Sequence, residues 1–222
     1  MLFDMDGTII DSTEAIIKNW QRIGEEIGVD PDVILAASHG RRAIDVLRDI
    51  QPSHATWDYV CSRESLVPME FGADAVEIPG ARDLLAEVTR CDLPWCIVTS
   101  GSRALVTGWL HVLKLAFPKH LVTAEDVEVG KPDPSCYLLG ATKLNLQQRS
   151  PSIVVFEDAP AGIRSATAAG FKVIALATTH TVEQLQSAGA HWIVRDMRSV
   201  TLRAWNETAG EVYLEISHIL NA

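Results

Sequence analysis

Apolar residues recur along this chain at two periods, and the period changes near residue 80. Between 12 and 75 the spacing is helical. Ile16, Ile17, Trp20, Ile23 and Ile27 line one face of a stretch that Ser12 or Thr13 can cap and Gly28 can end. Asp30-Pro31 opens a second helix, proline being suited to a first turn. Ser38-His39-Gly40-Arg41-Arg42 breaks the pattern. A third helix then runs through Ile44, Val46, Leu47 and Ile50 and stops at Pro52. A fourth covers about 56–71 and carries Trp57, Val60, Leu66 and Met69. Nothing in this region reads as a strand.

Beyond Pro79-Gly80 short apolar runs alternate with amphipathic stretches. Strands are predicted at Trp95–Thr99, Leu121–Thr123, Ile153–Phe156, Val173–Ala177 and Trp192–Val194. Helices are predicted at 81–90, 102–113 and 135–144, and a further one follows Glu157–Gly162 to about Ala169. Such alternation marks an α/β fold with a doubly wound parallel sheet. The apolar start, Met1-Leu2-Phe3, supplies a further strand, so residues 1–11 and 79–222 form the core. Residues 12–78 are then an inserted all-helical block at the ligand-binding edge, where it can act as a lid. In the tail, Val200, Leu202 and Ala204, then Val212, Leu214 and Ile216, alternate with polar residues around a turn-like 206–210 segment. This predicts an antiparallel β-hairpin at a sheet edge.

Composition narrows the class. The 222 residues are 47% hydrophobic, enough for a substantial core. A net charge of −10 argues against a nucleic-acid backbone as partner. No apolar run reaches the length of a membrane span. Acids at positions 4 and 6, with no basic region before them, argue against a signal peptide. Cys61, Cys91, Cys96 and Cys136 form no C-x-x-C pair and are expected reduced, which fits a cytoplasmic protein. The seven histidines are scattered, so no zinc site is expected. A monomer or weak dimer is expected.

Candidate chemistry gathers at strand ends. Asp4 and Asp6 follow the first apolar run, and Gly7 permits a sharp turn after them. Two crowded acids need a cation, a shared proton, or division into nucleophile and acid/base; the alternative is an acidic turn. Thr99-Ser100-Gly101 ends another strand, where a serine is most often a helix cap. Lys131 lies in Gly130-Lys131-Pro132-Asp133-Pro134, where a lysine is most often solvated. Glu157-Asp158 directly follows a buried strand, where acids are most often N-caps. In a parallel sheet all four groups fall on one edge. Together they can perform phosphoryl transfer. Asp4 can attack phosphorus, and Asp6 can protonate the leaving alkoxide and then activate water. Ser100, the Gly101 amide and Lys131 can hold the transferring group, and Asp4 with Glu157-Asp158 offers hard oxygens to Mg²⁺.

Asp4-Met5-Asp6-Gly7-Thr8, Thr99-Ser100-Gly101, Gly130-Lys131-Pro132-Asp133-Pro134 and Glu157-Asp158, in this order, resemble the four motifs of the haloacid dehalogenase superfamily over residues 1–195. The resemblance implies a Rossmann-like core with a helical cap and Mg²⁺ as cofactor. It implies Asp4 as nucleophile and Asp6 as acid/base, with metal on the Asp4 side chain, the Asp6 carbonyl and Asp158, and Glu157 assisting. Dehalogenases of the superfamily lack the second acid, and the D-K-T-G signature of transport ATPases is absent. The β-phosphoglucomutase type carries a histidine ten residues beyond the second acid, where this chain has Ile16. Ser38–Arg42, Thr99–Arg103 and Glu157–Gly162 look most like the fungal glycerol-phosphate and 2-deoxyglucose-6-phosphate phosphatases. The implied substrate is a small phosphorylated polyol or sugar. Phosphomutase, prenyl-diphosphate phosphatase and a catalytically silent binding module are the alternatives. His39, Arg41 and Arg42 are the cap candidates for substrate choice, against a solvated arginine pair; Trp20 and Trp57 are expected in the cap's core. With only three residues before Asp4, the first strand is expected to be a stub, or the true start to lie upstream.

Overall fold

The computed structural model describes residues 1–38, 40–146, 153–206, 208–209 and 211–221. Six parallel strands make the central sheet: β1 (Leu2–Phe3), β4 (Cys96–Val98), β5 (His120–Val122), β6 (Val154–Glu157), β7 (Lys172–Leu176) and β8 (Trp192–Val194). Their order is β5-β4-β1-β6-β7-β8, so the shortest strand lies at the centre of the sheet. Leu2 pairs with Cys96 and Val155, and Phe3 with Ile97 and Phe156. The side chains alternate between faces. Phe3, Ile97, Phe156, Ile174 and Val194 join one core with α5 (Ala81–Arg90) and α6 (Arg103–Val112). Leu2, Cys96, Val98, Val155, Val173 and Ile193 join the other with α7 (Ser135–Lys143), α8 (Pro160–Ala168) and α9 (Val182–Ser187). Helix α9 went unpredicted, its six residues being too short to show a period.

The region after Asp11 folds as α1 (Thr13–Ile27), α2 (Pro31–Ser38), α3 (Ala43–Ile50) and α4 (Trp57–Glu70). Trp20, Ile23, Ile34, Ile44, Leu47 and Val60 form a core of their own. Trp20 belongs to it, as expected, and Trp57 packs against it. Helix α4 also packs on α6. Val67 enters the sheet's core, and a Cβ at Gly108 would sit 2.7 Å from Pro68 Cγ. Where the chain leaves and re-enters the sheet domain, β2 (Ile10–Asp11) and β3 (Val76–Glu77) pair antiparallel. This ribbon lies partly in the stretch read as purely helical; two-residue strands leave no alternation to detect.

Strands β9 (Val200–Asn206) and β10 (Glu211–Ile216) form the expected hairpin, with a register shift at Tyr213/Leu214. It is a separate two-stranded sheet rather than an edge of the main one. Leu202, Trp205, Val212, Leu214 and Ile216 turn inward onto the core that contains α5. Glu207 and Gly210, in its turn, lie outside the described residues. All four cysteines are free. No described helix is long and apolar enough to cross a membrane.

Candidate active site

Asp4 stands directly after β1, with its N–H donating to Phe156 O at 3.0 Å. Glu157 ends β6 and Asp158 follows it. Lys131 arrives from the α7 side, and its ammonium donates to Asp4 Oδ1 (2.5 Å), Glu157 Oε1 (2.7 Å) and Val98 O (3.3 Å). All four side chains are buried. The convergence read from strand ends is therefore real for Asp4, Lys131, Glu157 and Asp158.

Each acid is held differently. Glu157 is saturated: Oε1 accepts from Lys131 and from the Tyr137 hydroxyl (3.0 Å), and Oε2 from the N–H groups of Asp158 and Ala159, both at 2.8 Å. Asp158 accepts from the hydroxyls of Thr8 (3.1 Å) and Thr179. Asp6 accepts from Ser12 Oγ at 2.5 Å. Ser12 thus makes no helix-capping bond; its hydroxyl serves Asp6. The tight turn after Asp6 is obligatory. Gly7 has φ +83°, and a Cβ there would lie 2.2 Å from Asp158 Oδ2.

Burial governs the electrostatics. It raises the Asp4 carboxyl well above the usual range, which the Lys131 ammonium opposes and Glu157 and Asp158 reinforce. Burial, then the Glu157 charge, pushes Asp158 up to about 8. Burial raises Asp6, and its Ser12 bond opposes the rise. For Lys131, burial alone would lower the ammonium, but Asp4 and Glu157 outweigh it and hold the group well above its ordinary value. Three buried acids thus gather around one buried cation, which contacts Asp4 and Glu157. Oxygens of Asp4, Glu157 and Asp158 lie within 4.8 Å of one another. An all-oxygen set with surplus negative charge fits a hard divalent cation. Because Glu157's oxygens are already taken by four donors, Asp4 and Asp158 are the better-placed ligands. The Asp6 side chain stands outside this cluster, with Ser12.

The remaining predicted residues divide. Ser100 Oγ donates to Gly40 O at 3.0 Å, and the Gly101 N–H donates to Thr99 Oγ1 at 3.0 Å. Both are at the site, but each is engaged within the protein. Ser102 caps α6, the role more usual for a strand-end serine such as Ser100. Arg41 lines the cavity and pairs with Asp49 at 2.8 Å. Arg42 does not line it. Its guanidinium donates to both Asp45 oxygens and to the carbonyls of Ala124, Val127 and Glu128, at 2.7–3.1 Å. Every N–H of the fork is used, tying α3 to the loop after β5. His39 lies outside the described residues.

The cavity above Asp4 measures about 290 Å³ and is walled by the sheet edge below and by α1, α2 and α4 above. The sequence reading missed Tyr137, Thr178, Thr179, Asn19 and Glu64. Thr178 and Thr179 follow β7 at the same edge, so topology could have found them. Thr178 donates to Gly7 O at 2.5 Å. Glu64 accepts from the Ser102 N–H at 2.7 Å. Burial pushes its carboxyl up to about 7, against that bond.

Residues 1–176 match the family model of the haloacid dehalogenase-like hydrolases. The chain belongs to this family. It is 36% identical over 230 residues to glycerol-1-phosphate phosphohydrolase 1 of Saccharomyces cerevisiae, covering 100% of this chain and 91% of that protein. It is 35% identical over 223 residues to 2-deoxyglucose-6-phosphate phosphatase 1 of the same yeast, covering 93% and 91%. Among solved structures, a hydrolase from Pseudomonas syringae superposes with a TM-score of 0.74 at 24% identity, covering 88% of this chain and 93% of that one. That likeness speaks to the fold alone. The two yeast relatives are those whose type the chain's motifs suggested.

Proposed function

We propose that this haloacid dehalogenase-like hydrolase is a phosphomonoesterase of small polyol or sugar phosphates, acting through an aspartyl-phosphate on Asp4. The observation that carries the reading is the Lys131 ammonium, locked between Asp4 and Glu157 at the floor of the cavity. It turns one Asp4 oxygen to the protein and leaves the other for phosphorus. A carboxylate so held attacks in line without reorganising. Asp6, two residues on, protonates the departing alkoxide and then takes a proton from the water that hydrolyses the intermediate. Its raised proton affinity suits that exchange.

Asp4 and Asp158 would hold Mg²⁺, with Glu157 beside them fixing Lys131. When bound, the ion supplies charge that offsets the repulsion between carboxylate and phosphate dianion. Ser100 and Gly101 would hand their hydrogen bonds from Gly40 and Thr99 to phosphate oxygens. The helices of residues 12–78 would act as a cap that excludes water and sets the room for the alcohol. The names of the two yeast relatives motivate the substrate class, and a cavity of about 290 Å³ suits a small ester. Ile16 lines that cavity, at the position where the mutase type has a histidine; this favours hydrolysis over isomerisation. A cytoplasmic location accords with four free cysteines.

The test is phosphate release from glycerol 1-phosphate and 2-deoxyglucose 6-phosphate, with Mg²⁺ and with EDTA. Release is expected to require the metal and to fall by roughly 10³-fold or more in Asp4→Asn. Unchanged release in Asp4→Asn would remove Asp4 as nucleophile.

A further inference from the structure

The cavity wall formed by the helical block carries polar groups that the chemistry at Asp4 does not use. Asn19, on α1, is 5% exposed and lines the cavity. Among the described residues its amide has no hydrogen-bond partner, yet it is not one of the two side chains with a sealed, unsatisfied polar atom, Tyr59 and Trp109. Its polar atoms therefore open onto the cavity. Glu64, on α4, lines the same space and is 7% exposed, with its carboxylate fixed by the Ser102 N–H at 2.7 Å. Ile16 and Trp20, from the same helix as Asn19, supply apolar wall. Polar groups fixed on a cavity wall orient a ligand through their hydrogen bonds. The phosphoryl end is assigned by Lys131, so the block's wall faces the alcohol.

We propose that Asn19, together with Glu64, is a specificity determinant that reads a free hydroxyl on the alcohol part of the substrate. The inference rests on the phosphomonoesterase reading and names what that site selects. An amide both donates and accepts, and a carboxylate accepts; a polyol hydroxyl can satisfy either. An unsubstituted alkyl chain satisfies neither and leaves both desolvated when it fills the cavity. Glycerol-type and sugar-type esters thus bind with their hydroxyls against the block, and simple alkyl phosphates are rejected.

The experiment compares kcat/KM for glycerol 1-phosphate with that for propyl phosphate, which has the same three-carbon chain without hydroxyls. Wild type, Asn19→Ala, Asn19→Val and Glu64→Met are measured. Wild type is expected to favour the glycerol ester by about tenfold or more. Each variant is expected to lower that ratio by about fivefold, chiefly by raising KM for the glycerol ester. A ratio measured on one preparation does not depend on how much of it is folded, and Asn19→Val keeps an apolar filler should Asn19→Ala loosen α1. Equal wild-type kcat/KM for the two esters, or an unchanged ratio in both Asn19 variants, overturns this inference alone. A wild type that hydrolyses no ester at all overturns the phosphomonoesterase reading and this inference with it.

Discussion

Gly162→Ala sets local helix preference against the site's architecture. Gly162 is in α8, where replacing glycine by alanine normally stabilises by about 1 kcal/mol. Here a Cβ would lie 1.5 Å from Glu157 Oε1. To reach ordinary contact the carboxylate must retreat by about 2 Å. It has nowhere to go. Its Oε2 is pinned by the N–H groups of Asp158 and Ala159, and its Oε1 holds Lys131 at 2.7 Å and Tyr137 at 3.0 Å. Retreat breaks the Oε1 pair. A hydrogen bond to a charged group is worth about 1.5–3 kcal/mol, and a buried hydroxyl left unpaired costs about 1–3 more. Against the helix gain, the expected result is a net loss on the order of 2–4 kcal/mol, because relaxation recovers part of the sum. Lys131 also loses its second anchor, so phosphatase kcat/KM should fall at least tenfold. Urea unfolding gives the first quantity, and phosphate release the second. A variant as stable and as active as wild type would show that Glu157 does not occupy this position, and the account of how Lys131 is held would fail.

Three further outcomes follow from the same geometry. Arg42→Lys keeps the charge but loses the five-donor fork, so unfolding stability should drop by about 2–4 kcal/mol; an unchanged Tm with a strongly raised KM would instead return Arg42 to the substrate-binding role its sequence context suggested. Lys131→Met removes the cation facing Asp4 and Glu157 and should lower kcat/KM by at least about 10²-fold in the phosphate-release assay. Glu64 has a folded carboxyl pushed from 4.5 up to about 7, chiefly by burial. A raised acid favours the folded state while protonated, so its contribution is present below the unfolded value and lost as pH rises through about 7. Stability should therefore decline over that window by an amount on the order of 3 kcal/mol. Glu64→Gln should flatten the slope; an unaltered slope in that variant would assign the decline to other groups.

The fold was legible where a period had room to show. Helices of ten or more residues, and the buried runs at 96–98, 154–157 and 172–176, were found within a residue or two of their ends. Helix α9 and the β2/β3 ribbon were not, because six residues and two residues carry no decisive period. Legibility of the site followed the same logic at another scale. Asp4, Lys131, Glu157 and Asp158 could be placed together because strand ends share an edge, a rule that needs no knowledge of side chains. Roles that depend on a contact across the chain could not be read. Arg42 beside Arg41 looks like a second reaching arginine, yet three of its partners are main-chain carbonyls more than eighty residues away. Ser12 looks like a helix cap, and only the fold of the 5–10 turn brings it to Asp6. Asn19 sits in a polar-looking gap of an amphipathic helix, where solvent is the default neighbour; its burial in the cavity wall emerges only from the tertiary fold.

The shortness of the first strand, expected from the three residues before Asp4, is compensated by its place in the sheet. An edge strand of two residues would have hydrogen bonds on one side only. β1 is central, so Leu2 and Phe3 are paired on both sides, and the ladder continues past the strand through the Asp4 N–H to Phe156 O. Packing adds to the pairing. The Phe3 ring stacks on Phe156 at 4.6 Å and meets Trp95 edge-on at 6.0 Å, and neither Leu2 nor Phe3 is exposed to solvent. A pair of aromatic contacts contributes about 0.5–1.5 kcal/mol each beyond area burial. The position of Asp4 is therefore set less by the length of its own strand than by β4 and β6. These two strands also lead to Ser100 and to Glu157-Asp158. Asp4, the strand end at Ser100 and the Glu157-Asp158 pair thus share one frame, so a substitution that loosens Phe156 should displace all three together rather than Asp4 alone.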